Sequence, residues 1–251
     1  MLHERPPLAP RAERIARLTA AIQGKSGIDL SLAALRAALD PALGGRIALV
    51  SSFGADSVVL LDMVAQLNPA LPVLFIDTEL LFPETLQYQR SLAAHLGLKD
   101  IRVIRAPRAA LLEHDADGLL YHFDPDACCA LRKVAPLARA LDGFDGWITG
   151  RKRYQAGTRA DMPIFEEDDA GRIKINPLAL WQPGEAARHV SARNLPRHPL
   201  LDRGYRSIGC APCTTPVREG EDERAGRWRG RGKIECGLHR AAPADGQGEA
   251  A

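Results

Sequence analysis

Cysteine is scarce in this chain, with 5 in 251 residues, and the number is odd. That excludes a small disulfide-stapled scaffold and points to ligating or reactive thiols in a reducing compartment. Aromatic residues make up only 5%. No unbroken apolar run reaches the roughly 18 residues that a spanning helix needs. The opening stretch MLHERPPLAPRAER carries charge from its fourth residue and lacks the apolar core of a secretory leader. Neither sign of charge dominates: 33 Lys and Arg against 31 Asp and Glu give +2. A bulk nucleic-acid binder is thereby excluded, while one local basic pocket for a small anion is not. The expectation is a cytoplasmic protein without membrane or nucleic-acid partners.

What is present is an ordinary globular composition, 46% hydrophobic and 25% charged. Residues 1–40 read as an N-terminal helical arm, with Ile15, Leu18 and Ile22 on one face and a second helix from Leu30 to Leu39. Strand-length apolar runs come next at 46–51 (RIALVS), 72–77 (PVLFID), 101–104 (IRVI), 146–149 (GWIT) and 172–175. Helices are expected over 54–67, 83–96, 125–141 with a kink at Pro136, and 183–195. Short strands alternating with helices predict an α/β fold: a mostly parallel twisted sheet covered by helices. Ligands of such sheets sit at the carboxyl ends of strands. The division expected is an arm (1–40), an α/β nucleotide-binding domain (41–206), a Cys-containing C-terminal segment (207–240) and a disordered tail (241–251).

The first strand ends in Ser51-Ser52-Phe53-Gly54-Ala55-Asp56-Ser57 and opens a helix, where free backbone N–H groups favour an anion. A phenylalanine at position 53 is expected to restrict the loop and fill part of the phosphate nest. The bland alternative is a capped strand–turn–helix. Asp77-Thr78-Glu79, at the next strand's end, suits either a base or ribose contact or a helix cap.

The cysteines fall in two close pairs and a singleton. Cys128 and Cys129 are adjacent, and 80 residues separate them from Cys210-Ala211-Pro212-Cys213. Vicinal cysteines alone are usually buried hydrophobes, and a CxxC alone is compatible with a redox dithiol. Together, four thiols in two pairs suggest a tetrathiolate metal site, zinc or iron–sulfur. Arg132 and Lys133 lie one helical turn beyond the first pair, where a cation would offset thiolate charge. Cys236, in Glu235-Cys236-Gly237-Leu238-His239, remains as the candidate free nucleophile. The Arg-rich stretch before it reads either as a basic tail or as a lid over an anion.

The set SSFGADS, FIDTELLFPET, CC followed by RKVAPL, WITGRKRYQAGTRADMP, SIGCAPCT, EDERAGRW and ECGLH resembles the assimilatory sulfonucleotide reductases. Among them it is most similar to the bacterial iron–sulfur adenylylsulfate (APS) reductases, over roughly residues 40–240. The resemblance implies an adenine nucleotide alpha-hydrolase-like fold and a [4Fe-4S] cluster on Cys128, Cys129, Cys210 and Cys213. It implies that Cys236 attacks the sulfur of APS, expels AMP and becomes an S-sulfocysteine, from which reduced thioredoxin or glutaredoxin releases sulfite. By motif position, Lys133 would lie between cluster and sulfate, and Arg224 and Arg227 would bind phosphate and sulfate. Ser51, Phe53, Gly54, Thr78 and Gly150 match nucleotide-contacting stretches, Arg159 the arginine of the GTR motif, and His239 the end of ECGLH. A separate reductant protein is expected, and a homo-oligomer is compatible with the pattern.

Three other readings stay open at this stage. One is a reductase of the 3′-phosphorylated nucleotide, PAPS. Another is an ATP-dependent enzyme with a zinc site, against which Phe53 argues. The last is a zinc-held binding module.

Overall fold

The computed structural model describes residues 7–233, 235, 237 and 238; Cys236, His239 and the expected tail lie outside them. Six strands form one sheet: β1 (Ile47–Ser51), β2 (Val73–Ile76), β3 (Ile101–Ile104), β4 (Gly146–Ile148), β5 (Phe165–Glu167) and β6 (Ile173–Ile175). Their order is β3-β2-β1-β4-β6-β5. Every pairing is parallel except β5 with β6, where Phe165 faces Ile175 and Glu167 faces Ile173. The mostly parallel α/β sheet expected from the alternating pattern is what forms. Strand β5 escaped the sequence because FEE carries one apolar residue in three positions, too short for a period.

The sheet's two faces obey the period-2 alternation of its strands. Ile47, Leu49, Val73, Phe75, Ile148, Ile173 and Ile175 point to one side and join the larger core. Ala48, Leu74, Ile76 and Trp147 point to the other, against Leu137 and Leu141.

Helices that contribute to the larger core include α1 (Arg11–Ala20), α2 (Gly27–Leu39), α3 (Ser57–Leu67) and α4 (Pro83–His95). Leu18, Ala34 and Leu35 are fully buried there. The amphipathic face of α1 is thus spent on this chain's own core rather than on a partner. Arg14, on α1, is buried too and donates to the carbonyls of Leu43 and Gly44.

Between β3 and β4 the chain forms α5 (Arg108–His114), α6 (Leu120–Phe123), α7 (Pro125–Cys129) and α8 (Ala135–Ala140). The helix expected over 125–141 with a kink at Pro136 forms, and the irregularity is a change of helix type just before that proline. A π-helical turn, Ala130–Val134, separates α7 from α8. The reason is Pro136, which has no N–H to donate and whose ring crowds the carbonyl four residues back, so the preceding turn widens. The last helix, α9 (Glu185–Ala192), packs on α3. There His189 Nε2 lies 3.0 Å from the buried Asp62 carboxylate.

Candidate active site

The strand order reverses at β1: β2 and β3 extend to one side of it, and β4, β6 and β5 to the other. In an open parallel sheet the crevice beyond the carboxyl ends at that reversal is where ligands bind. A cavity of about 250 Å³ occupies this place. Ser51, the Gly54–Ser57 turn, Thr78, Thr149 and Gly150 bring strand ends and loops to its wall.

The turn after β1 is held by its own side chains. The Ser51 hydroxyl accepts from Phe53 N–H at 3.2 Å, and the Ser57 hydroxyl accepts from Gly54 N–H at 3.0 Å. Gly54 passes close to the chain after α9, since a Cβ there would sit 3.2 Å from the Ile208 carbonyl. Phe53 departs from its expected role. Its φ of 48° turns the side chain inward, where it is fully buried and edge-on to Phe75 at 5.3 Å. The phenyl ring is absent from the cavity wall and does not fill the phosphate nest. Burial of the ring offsets the strained backbone.

Seven cationic side chains line the cavity (Lys133, Arg151, Lys152, Arg159, Arg206, Arg224 and Arg227), against three carboxylates, Asp56, Glu223 and Glu235. A chain with net charge +2 therefore concentrates its positive charge at one place. Lys152 is 1% exposed, with its ammonium 2.8 Å from Asp56. Burial, and then the Asp56 carboxylate, push the Glu223 carboxyl above its ordinary range. Two buried donors on this wall, Arg227 Nε and Trp228 Nε1, have no acceptor. Both groups donate only, and an unmet buried donor is costly. A ligand rich in acceptor oxygens would complete them.

The arginine-bearing segment reaches the cavity because it is tied to the CxxC loop. Thr215 N–H donates to the Gly226 carbonyl at 2.9 Å, and Trp228 N–H to the Cys213 carbonyl at 3.0 Å. Gly226 permits this approach: a Cβ there would stand 2.1 Å from the Thr215 carbonyl oxygen. The Arg227 guanidinium then lies over the Trp228 ring, 4.4 Å from its centroid.

A second, smaller cavity of about 10 Å³ adjoins the first and is lined by Cys128, Cys129, Cys210 and Cys213. The first pair sits on α7, whose N-terminus is capped by the Asp124 carboxylate accepting from Asp126 and Ala127 N–H. The second pair hangs from the loop after β2. Ala211 N–H donates to the Leu80 carbonyl at 2.8 Å, and the Cys210 thiol meets the Thr78 hydroxyl at 3.2 Å. Thr78, Lys133 and Cys210 line both cavities.

None of these four cysteines is in a disulfide. Burial, then the neighbouring Cys129 and Cys210, push the Cys128 thiol up to about 12. Burial and Cys210 raise Cys213 as well, against the pull of Lys133, Arg231 and Arg227. Among the described residues, no set of three or more His, Cys, Asp or Glu side chains is arranged to hold a metal ion as it stands. The donor chemistry nevertheless fits one. Four soft sulfur donors line one void, a donor set that suits a thiolate-binding metal centre. Arg132 lines this void as expected, and its charge pulls the Cys128 thiol down against burial, though its donors are paired with other groups. Its guanidinium bonds the Asp115 carboxylate at 2.6 and 2.8 Å and the Thr78 carbonyl at 2.9 Å.

Of the residues singled out in the sequence, the cavity wall gathers Ser51, Gly54, Thr78, Lys133, Gly150, Arg159, Arg224 and Arg227. Cys236 and His239 lie outside the described residues, while Glu235 and Leu238 beside them reach the wall. Arg159 is already paired, with both Glu235 oxygens at 2.7 and 2.8 Å and Gln155 at 3.0 Å. Sequence reasoning passed over Asp56, Lys152, Arg206, Glu223 and Trp228. Each sits inside or beside a quoted motif, but only folding shows which of their neighbours face inward.

Fold and site together define an α/β protein that takes an anionic, nucleotide-like ligand at the switch point of its sheet, next to a cysteine-lined void. Residues 46–216 match the phosphoadenosine phosphosulfate reductase domain model. The chain belongs to that family. It is 53% identical to the adenosine 5′-phosphosulfate reductase of Mesorhizobium japonicum over 77% of this chain and 76% of that one. It is 39% identical to the phosphoadenosine 5′-phosphosulfate reductase of Gloeobacter violaceus, over 84% and 89%. Among solved structures, the phosphoadenylyl-sulfate reductase of Candida auris, a phosphate complex, superposes with a TM-score of 0.67 at 26% identity, covering 84% of this chain and 99% of that one.

Proposed function

We propose that this chain is a thiol-dependent adenosine 5′-phosphosulfate reductase, yielding sulfite and AMP for assimilatory sulfate reduction. The observation that carries the reading is the junction of the two cavities. A cation-rich pocket shares Lys133, Thr78 and Cys210 with a void lined by four cysteines. That junction suits a nucleotide whose sulfate end points toward the thiols.

In this reading Ser51, Gly54, Thr78 and Gly150 bind the nucleotide. Lys133, Arg224 and Arg227 hold the phosphate and sulfate oxygens by charge-assisted hydrogen bonds. The Cys236 thiolate attacks the sulfur; the S–O bond to the phosphate breaks, and AMP leaves with that electron pair. The cations oppose the charge that builds on the leaving phosphate. His239, three residues beyond the nucleophile, is assigned to the sulfate side. An external dithiol protein of the thioredoxin type then attacks the Cys236 sulfur, releases sulfite and is itself oxidised to a disulfide. Cys128, Cys129, Cys210 and Cys213 would hold a [4Fe-4S] cluster, which when bound supplies a fixed charge beside the sulfate end and ties α7 to the CxxC loop. Both electrons are accounted for by thiol chemistry.

The 3′-phosphorylated nucleotide is the second reading, since relatives of both names match this chain. Parallel turnover assays with APS and PAPS, using reduced thioredoxin, decide between them. A kcat/KM favouring APS, with an adduct of about +80 Da on Cys236 after mixing with APS alone, is the expected result. A preference for PAPS, or no adduct at Cys236, overturns the proposal.

A further inference from the structure

The GTR-motif arginine matches, by position, a substrate-contacting residue, yet one edge of its guanidinium is held by the chain's own C-terminal segment. Arg159 Nε and Nη2 donate to the two oxygens of Glu235 at 2.7 and 2.8 Å, a fork-to-fork pair. Its remaining nitrogen, Nη1, donates to Gln155 at 3.0 Å. Both members are more than nine-tenths buried, at 7% and 7% exposure. Arg224 adds a second cation, 3.6 Å from Glu235. Glu235 is joined by one peptide bond to Cys236.

We infer that Arg159 and Glu235 form a clasp that docks the nucleophile-bearing segment on the cavity, so that Arg159 is a positioning residue rather than a substrate ligand. This rests on the reading of Cys236 as nucleophile. The physical argument is one of geometry and sequence distance. A guanidinium is a rigid planar fork, and its Nε/Nη2 edge is given to the Glu235 carboxylate, with one N–H of Nη1 on Gln155. A sequence separation of 76 between Arg159 and Glu235 gives no local reason for the two to meet. Their pairing is therefore a docking contact. Farther back, the same segment is fastened by Lys233, which donates to the Pro125 carbonyl at 3.1 Å and to the Asp126 carboxylate at 2.5 Å.

Four forms of the holoenzyme test the clasp: wild type, Glu235→Gln, Arg159→Gln and the double variant, with Glu235→Asp as the conservative control. The clasp predicts that each single change lowers kcat roughly tenfold while KM for APS moves less than about twofold, since the nucleophile is misplaced and the substrate is held as before. The double variant falls no further than the worse single one, and Glu235→Asp restores part of kcat. Backbone hydrogen exchange over residues 233–238 quickens in both singles, a readout that needs no substrate. Suppose Arg159→Gln raises KM or the Kd for AMP about tenfold while Glu235→Gln is neutral. Arg159 is then a substrate ligand, and the clasp is refuted. Unchanged exchange in Glu235→Gln refutes it as well. If wild type itself releases no sulfite from APS, the functional reading fails, and the exchange result alone still decides the clasp.

Discussion

The buried pair Arg132–Asp115 joins the cysteine site to the end of β2, and its removal has a calculable consequence. The Arg132 guanidinium takes the Asp115 carboxylate at 2.6 and 2.8 Å, with side-chain exposures of 7% and 0%. Asp115 also accepts from Leu120 N–H at the start of α6, at 2.8 Å. Asp115→Ala removes the nearest counter-ion of a buried cation and leaves only the half-exposed Glu79 at 3.8 Å, which costs about 3–5 kcal/mol, and the lost acceptor adds on the order of 1 kcal/mol. The Thr78 carbonyl keeps one hydrogen bond to Arg132 and offsets part of this. The net is about 4 kcal/mol, or a fall in Tm of roughly 8–16 °C for a chain of this size. Thermal melts on chelator-treated protein read the difference without the linkage to bound metal. The partner variant Arg132→Met/Asp115→Leu is expected to regain more than half of the loss, because no charge is left unpaired in the interior. A single-variant shift below roughly 3 °C, or a double variant worse than the single, refutes the reasoning.

Cys236→Ser is expected to abolish sulfite release while iron and sulfide content and the visible spectrum stay as in wild type, because the four thiols lining the small cavity are untouched. Lys133→Ala is expected to lower kcat by about 30- to 1000-fold, the roughly 2–4 kcal/mol typical of a preorganised charge at a developing anion. Near-normal turnover in that variant removes Lys133 from the mechanism. His198 gives a pH signature. It is fully buried with Thr85 Oγ1 at 3.0 Å, and burial holds it down to about 4 against the attraction of Glu84. The unfolded chain takes this proton near the ordinary 6.5 and the folded one only near 4. Stability is therefore unaffected by this group above about 6.5 and is lost as pH falls toward 4, by up to about 3 kcal/mol. Urea unfolding across that window shows a slope shallower by about one proton in His198→Gln.

Periodicity located five of the six strands within a residue or two, because apolar runs bounded by Pro and Gly are local signals. The two cysteine pairs, the β1 turn and the arginine stretch were likewise legible, since their residue types carry the chemistry wherever they fall. Phe53 was misjudged for an instructive reason. A substituted glycine in a phosphate loop looks obstructive in sequence, but its side-chain direction depends on a positive φ that only the packed structure reveals.

Arg132 and Arg159 teach the same lesson from the charged side. The sequence marked both as cations close to the chemistry, yet their partners, Asp115 and Glu235, lie 17 and 76 residues away. Composition, spacing and motif order are properties of the chain and determined the family and the sheet. Which charges face a ligand and which neutralise one another depends on contacts between distant segments. Folding chooses those contacts by burying each charge against the partner that best repays its desolvation.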